Sequence, residues 1–188
     1  MKDLYLMRHG QTFFNQEGLV QGACDSPLTE LGQDQARQAG AYLQGRGIRF
    51  GQLYSSTQER ASDTLELVSG RTDYTRLKGI KEWNFGLFEA QPEHLQPKFR
   101  PGATSFEDLF VPYGGEGVDQ VGERVLVTLT EVMEQSQSWL LVTAVPCGPS
   151  ISRLRLKPWT PRYALAIAPS AITIMSRDIL NWQKSLTR

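Results

Sequence analysis

The triplet Arg8-His9-Gly10 closes a short apolar run near the N-terminus and is followed at close range by Thr12 and Asn15. A neutral imidazole nitrogen can attack phosphorus near neutral pH, because its reference pKa is about 6.5. Attack of this kind divides phosphoryl transfer into two steps through a phosphohistidine. The group in transfer spreads charge over its equatorial oxygens, and the forked donors of an arginine such as Arg8 match that geometry. Asn15 adds a neutral donor. Taken bare, a histidine beside an arginine also serves simply to hold a loop, Asn15 is a ready turn residue, and Thr12 can cap or turn the chain.

The elements that would position these residues follow from periodicity. Asp3 to Met7 reads as a buried first strand ending at Arg8 and His9, and ligands of open α/β sheets bind at strand ends. Thr29–Gly45 reads as a surface helix capped by Thr29, with Leu31, Ala36, Ala39 and Leu43 near helical spacing. Gln52–Ser55 is a short strand, followed by a helix over Thr57–Val68, capped by Ser56 or Thr57 and ended by Gly70. From Glu82 to Pro112 the pattern loosens, with Pro92, Pro97, Pro101 and Pro112 among scattered aromatic residues. This is expected to be a long excursion with one turn of helix at Ser105–Phe110, and such loops often cover sites.

A second α/β section follows. It comprises a helix at Val118–Gln135, a buried strand at Trp139–Thr143, a helix at Gly148–Leu156, and alternating segments at Ala164–Ala168 and Ala171–Ser176 joined by a Pro169-Ser170 turn. Alternating strands and helices predict an α/β fold, a three-layer sandwich whose mostly parallel mixed sheet is flanked by helices. The 188 residues suit one domain, 1–188, with a covering region at about 82–112.

Composition excludes several classes. Twenty Lys and Arg balance twenty Asp and Glu, so no net positive field exists to hold nucleic acid. No apolar run approaches the roughly 20 residues that span a bilayer, and the N-terminal run is too short for a signal-peptide core. No membrane association is expected, and the cytoplasm is the default location. Cys24 and Cys147 lie far apart without metal-type spacing and are expected as free thiols. His9 lacks ligand-spaced His, Asp or Cys neighbours, so no metal or other cofactor is implied.

The wider pattern is more specific. Leu6-Met7-Arg8-His9-Gly10-Gln11-Thr12, then Asn15, Gln21-Gly22, Asp25-Ser26-Pro27-Leu28-Thr29 and Gly32, resembles the opening signature of the histidine phosphatase superfamily, the phosphoglycerate-mutase-like group. Ser55-Ser56-Thr57-Gln58-Glu59-Arg60-Ala61, with Thr64, resembles the segment that brings a second phosphate-binding arginine. Lys81-Glu82-Trp83-Asn84-Phe85-Gly86 resembles the segment carrying the family's acidic residue. Gly114-Gly115-Glu116, ahead of a helix containing Arg124, resembles a further recurrent segment.

The resemblance implies a phosphatase that moves a phosphoryl group from a small phosphorylated metabolite through a phosphohistidine. His9 is then the nucleophile, Arg8, Asn15 and Arg60 hold the phosphate, and Glu82 protonates the leaving alkoxide and later activates water. Alone, Arg60 reads as a surface helix arginine and Glu82 as a solvated loop residue. Glu116 is assigned to stabilising the start of the following helix. Specificity would come from Trp83, Phe85, Phe88 and the loop around His94.

One landmark departs from the family. There, a buried strand near the C-terminal third ends in a second His-Gly that stabilises the phosphoryl group in transfer. Here Trp139-Leu140-Leu141-Val142-Thr143 is followed by Ala144-Val145-Pro146-Cys147-Gly148. Ala144 stands at the histidine position, and loss of one such contact costs about two to three orders of magnitude in rate. Cys147 and Ser150 are weak donors that follow the strand, and the Gly148 amide at a helix start suits an anion. His94, the other of the two histidines, is expected to face solvent. The expectation is a phosphatase of reduced activity. The alternative is an inactive phospholigand-binding protein, and third a phosphoglycerate mutase, which lacks here an adjacent arginine pair in the Glu82–Pro112 segment.

Overall fold

The structure, a computed structural model, describes residues 4–103, 106–135, 140–143, 165–166 and 173–175. Six strands, β1 (Leu4–Met7), β2 (Gln52–Ser56), β3 (Thr75–Leu77), β4 (Leu140–Thr143), β5 (Leu165–Ala166) and β6 (Thr173–Met175), form one sheet in the order β3-β2-β4-β1-β6-β5. The first four in that order are parallel, while β6 runs antiparallel to both β1 and β5. Among the described residues the α-helices are α1 (Phe13–Glu17), α2 (Glu30–Gly45), α3 (Glu59–Ser69) and α4 (Val118–Gln135).

The layering follows from the pleat of β1, all four residues of which are buried. Side chains alternate across a strand. Leu4 and Leu6 join a core with Val121, Val125, Leu129 and Val132, one stripe of α4 at helical spacing. Tyr5 and Met7 join a second core on the opposite face with Ala36, Ala39 and Leu43 of α2 and Leu65 and Val68 of α3. The expected three-layer α/β sandwich is therefore present, with each face burying apolar side chains worth roughly 1.5–3 kcal/mol apiece.

Local signals account for most boundaries. Thr29 caps α2 by accepting from the Gly32 amide, and Gly70 ends α3 in the left-handed conformation that glycine adopts without strain. α3 begins at Glu59 rather than Thr57, because Gln58 stays extended and sends its side chain across to another loop. β3 was not anticipated: its three residues are mostly exposed and sit on the sheet edge, where no apolar alternation is demanded.

Among the described residues, the long excursion holds single 3-10 turns at Gly86–Phe88, Glu93–Leu95 and Val111–Tyr113. A helical turn was expected at Ser105–Phe110; over the described residues 106–110 the chain forms irregular turns in which Glu107 has φ +49°, incompatible with a right-handed helix. Aromatic contacts fix the excursion instead. Phe106 lies 5.3 Å from Trp83, 5.4 Å from Phe85 and 5.2 Å from Phe110 between ring centroids, against the α4-side core. The expected helix at Gly148–Leu156 and the Pro169-Ser170 turn lie outside the described residues.

Candidate functional site

β1, β4 and β2 end level with one another: Met7 pairs with Thr143, and Ser55 pairs with Thr143 from the other side. Arg8 and His9 therefore emerge at the C-terminal edge of the parallel strands. His9 is buried at 6% exposure, whereas Arg8 is exposed. The His9 Nδ1 lies 2.8 Å from the Gly10 carbonyl. A carbonyl accepts, so Nδ1 carries the proton and Nε2 keeps its lone pair. Burial, then the charge of Arg60, lowers the His9 pKa to about 3, with Arg8 adding a smaller push and the Gly10 bond opposing. The ring is neutral over the whole range in which it would act as a nucleophile.

This has a consequence for stability. The unfolded chain protonates His9 near pH 6.5 and the folded chain only near pH 3, so between those values the unfolded state binds more protons. Stability held above pH 6.5 is lost as pH falls through that window. Lowering the pH from about 7 to about 4.5 should cost the wild type on the order of 2 kcal/mol more than a His9→Asn variant. Urea midpoints of both proteins at the two pH values test this, and equal losses would contradict it.

The neighbouring backbone is held tightly. The Gly10 amide donates to Thr64 Oγ1 at 3.1 Å, and that hydroxyl donates to the Arg60 carbonyl at 2.7 Å, so the nucleophile loop is tied to α3. A Cβ on Gly10 would lie 2.3 Å from the Gly32 carbonyl oxygen, a contact only glycine permits. Thr12 and Asn15 form a reciprocal capping box on α1: the Asn15 Oδ1 accepts from the Thr12 amide at 3.1 Å, and the Thr12 Oγ1 accepts from the Asn15 amide at 3.2 Å. Thr12 is thus the cap its position suggested. Asn15 is exposed on α1 with its carbonyl oxygen engaged.

Arg60 is not a surface residue. Its side chain is fully buried, with Nη1 donating to the Cys24 carbonyl at 2.7 Å and to Asp25 Oδ1 at 2.9 Å, and Nη2 donating to the Gly22 carbonyl at 2.9 Å. Its Nε is buried with no partner. A second orphan donor is Gln21 Nε2, whose side-chain oxygen accepts from Thr12 at 2.7 Å. Buried unpaired donors call for an explanation; Arg60 is close enough to His9 to lower its pKa, and Gln21 bonds Thr12 three residues along the same loop, so donors at this loop suit an anion. Gln21 was quoted in the sequence only as part of a signature; its spacing alone carried no sign of this role.

Glu82 is buried at 7% exposure, and its Oε1 accepts from the Trp83 amide at 2.8 Å. Its amide donates to Gln58 Oε1 at 3.0 Å, while Gln58 Nε2 donates to the Gly22 carbonyl at 2.5 Å, so one side chain registers the acid segment against the arginine-holding loop. From the other side, Arg124 donates to the carbonyls of Gly79, Lys81 and Glu82 at 3.0, 2.7 and 3.0 Å.

Glu116 does not serve the helix start as expected. It receives a two-pronged bond from Arg124, 2.8 Å on each oxygen, and the Asn84 amide at 2.9 Å. Burial pushes its carboxyl up most strongly, but the Arg124 bond, the Asn84 amide and the charges of Arg124 and Lys81 together hold it below the usual range. It is a structural anion under the Glu82 segment.

Glu89 accepts four backbone N–H groups, from Gly22 (3.1 Å), Ala23 (2.8 Å), Cys24 (3.0 Å) and Phe85 (2.8 Å). It joins the loop that holds Arg60 to the chain just past Glu82. The Cys24 thiol is free, and burial, then the bond and charge of Glu89, raises its pKa to about 11. It stays protonated at neutral pH. Trp83 and Phe85, expected to shape specificity, are core residues at 0% and 7% exposure. His94 is exposed, as expected. Ala144 and Cys147 lie outside the described residues. Among the described residues, no group of three His, Cys, Asp or Glu side chains could hold a metal ion, and no helix is long and apolar enough to cross a membrane.

Comparison with known proteins agrees with this geometry. The model of the histidine phosphatase superfamily (branch 1) matches residues 4–176. The chain is 31% identical over 140 residues to fructose-2,6-bisphosphatase TIGAR B of Danio rerio, covering 70% of this chain and 53% of that protein. It is also 31% identical over 144 residues to a protein of Salmonella paratyphi B named "Probable phosphoglycerate mutase GpmB", covering 73% of this chain and 66% of that one. The chain thus spans between half and two thirds of the length of these relatives. Among solved structures, a mycobacterial glucosyl-3-phosphoglycerate phosphatase in complex with VO3 superposes with a TM-score of 0.66 at 27% identity, covering 82% of this chain and 80% of that one. With matching fold, strand-end histidine and family model, the chain belongs to the histidine phosphatase superfamily, branch 1.

Proposed function

We propose that the protein is a phosphatase acting on a small phosphomonoester through a phosphohistidine at His9. The observation that carries this reading is the state of His9: buried, neutral, with its Nδ1 bonded to the Gly10 carbonyl and Nε2 left as the only basic nitrogen. The Nε2 lone pair forms the N–P bond as the ester P–O bond breaks, and the departing oxygen takes a proton from Glu82. Glu82 then removes a proton from water, whose oxygen attacks phosphorus; the N–P bond breaks, and inorganic phosphate and neutral imidazole result. Arg8, Asn15, Gln21 and Arg60 Nε hold the phosphoryl oxygens, so the two orphan donors acquire partners on binding.

Two of the relatives described above are named as phosphatases, which supports hydrolysis over mutase chemistry. By the resemblance, Ala144 stands where the family has its second histidine, and on that reading the rate is reduced. The same reading of Ala144 favours the alternative, a phospholigand-binding protein that keeps the anion site with little or no turnover.

The test is to mix the protein with an aryl phosphate, quench early with denaturant, and map phosphorylation by mass spectrometry. The expected result is a phosphohistidine on the peptide containing His9, forming as aryl alcohol is released and decaying as phosphate appears. Release of alcohol with no modified His9 would overturn the phosphohistidine route. Saturable binding of inorganic phosphate without any alcohol release would favour the binding protein.

A further inference from the structure

Gln58 occupies the cap position of α3 with extended backbone, yet its side chain makes no capping bond. Short polar residues suit that position because they reach the first helical amides. Glutamine there gives up the local cap. The residue is 2% exposed, and its carboxamide turns instead to two other segments of the chain.

Both ends of the carboxamide are used. Nε2 donates to the Gly22 carbonyl at 2.5 Å and to the Cys24 carbonyl at 3.5 Å, the same two carbonyls that Arg60 takes at 2.9 and 2.7 Å. Oε1 accepts from the Glu82 amide at 3.0 Å and from the Ser56 hydroxyl at 3.4 Å. The partners fix the orientation: a flipped carboxamide would set its oxygen against two carbonyls and its nitrogen against an N–H. Arg60, the Gly22–Cys24 loop, Gln58 and the Glu82 backbone thus form one hydrogen-bonded chain. Glu82 and Ala23 of that loop also line one cavity of about 430 Å³, so the tied segments face a common space.

Proton transfer needs the acid within roughly 2.6–3.2 Å of the oxygen it protonates, and a displacement of about 1 Å costs on the order of a hundredfold in rate. A side chain that ties the acid's own backbone to the carbonyls gripped by the phosphate-binding arginine sets that distance. We propose that Gln58 is a positioning residue for proton delivery, keeping Glu82 in register with a phosphoryl group held by Arg60. In this role Gln58 acts only through Glu82, and the role rests on the reading of Glu82 as the acid and of Arg60 as part of the cradle.

The step that depends on the acid can be isolated by choice of leaving group. Phenolate, whose conjugate acid has a pKa of about 10 like the tyrosine side chain, leaves with a proton from the acid. The 2,4-dinitrophenolate ion is a far weaker base and leaves without one. The quantity to measure is kcat/KM, which covers binding and the first transfer to His9, for phenyl phosphate and for 2,4-dinitrophenyl phosphate. Gln58→Met, near in length and lacking both donor and acceptor, should lower the value for phenyl phosphate by about 30- to 100-fold and that for the dinitrophenyl ester by less than about threefold. Gln58→Glu keeps an acceptor for the Glu82 amide and should show a smaller selective loss; it carries the test if Gln58→Met lacks a cooperative urea transition. In a Glu82→Gln background the selective loss should disappear, because the two residues serve one proton transfer. No loss, a loss equal on both esters in a folded variant, or a selective loss undiminished by Glu82→Gln overturns the positioning role. Failure of the hydrolase reading looks different: the wild type then releases neither phenol, and the role falls with it.

Discussion

Exchange of His9 for alanine is expected to lower aryl phosphate hydrolysis by about 10³-fold or more, to the rate in buffer. The size of the loss follows from the lack of a substitute nucleophile among the described residues. Cys24 is held as a thiol by burial and Glu89, and His94 stands exposed on the excursion. Neither can take the phosphoryl group at neutral pH. Phosphate affinity should survive, since the donors around His9 remain and the bulk removed leaves space for an anion. A His9→Ala protein that binds inorganic phosphate but does not turn over separates the nucleophile from the anion cradle. Undiminished turnover would place the chemistry elsewhere.

The second large effect is a gain. Ala144→His should raise kcat toward aryl phosphates by between about tenfold and about a thousandfold, equivalent to roughly 1.4 to 4 kcal/mol of transition-state stabilisation. Ala144 follows directly on Thr143, whose Cα is paired with that of Met7, one residue before Arg8. By the family resemblance, a histidine at this position donates to the phosphoryl oxygens as charge develops on them, whereas alanine has no donor. The decisive comparison is the double variant. With His9 also replaced by alanine, the gain from Ala144→His should vanish, because residues that serve one transition state are not additive. A gain that survives in the His9→Ala background would show that the new histidine acts on its own, and no gain in either background would remove Ala144 as the cause of a low rate.

Much of this architecture was legible in the chain. The apolar run before Arg8, the Thr29 cap and the stripe of valines and leucines through Val118–Gln135 are short-range patterns that the backbone obeys directly. β3 escaped because an exposed edge strand of three residues needs no pattern. Within the site, His9 and Glu82 could be picked out because their types and spacing match a known order. The residues that hold them could not. Gln58 acts on positions 36 residues before it and 24 after it, and Glu89 on amides more than sixty residues away. A carboxylate saturated by main-chain donors reads, in a bare sequence, like any solvated glutamate. Trp83 and Phe85 misled in the opposite sense: aromatic residues beside a catalytic acid suggest a binding wall, yet both are needed to close the core beneath it.

The shape of the loop Gly22–Cys24 is set almost wholly by its main chain. Its amides converge on Glu89, and the carbonyls of Gly22 and Cys24 are gripped by Arg60 and Gln58. Gly22 is constrained in identity, since a Cβ there would meet the Trp83 carbonyl oxygen at 2.0 Å, and the half-buried Cys24 donates its thiol to the Val20 carbonyl at 3.6 Å. The side chain at position 23 is therefore free to drift under selection without disturbing Arg60. Descendants of this scaffold can change what they accept next to Glu82 while inheriting the phosphoryl cradle intact, which separates evolvability of substrate choice from conservation of the chemistry.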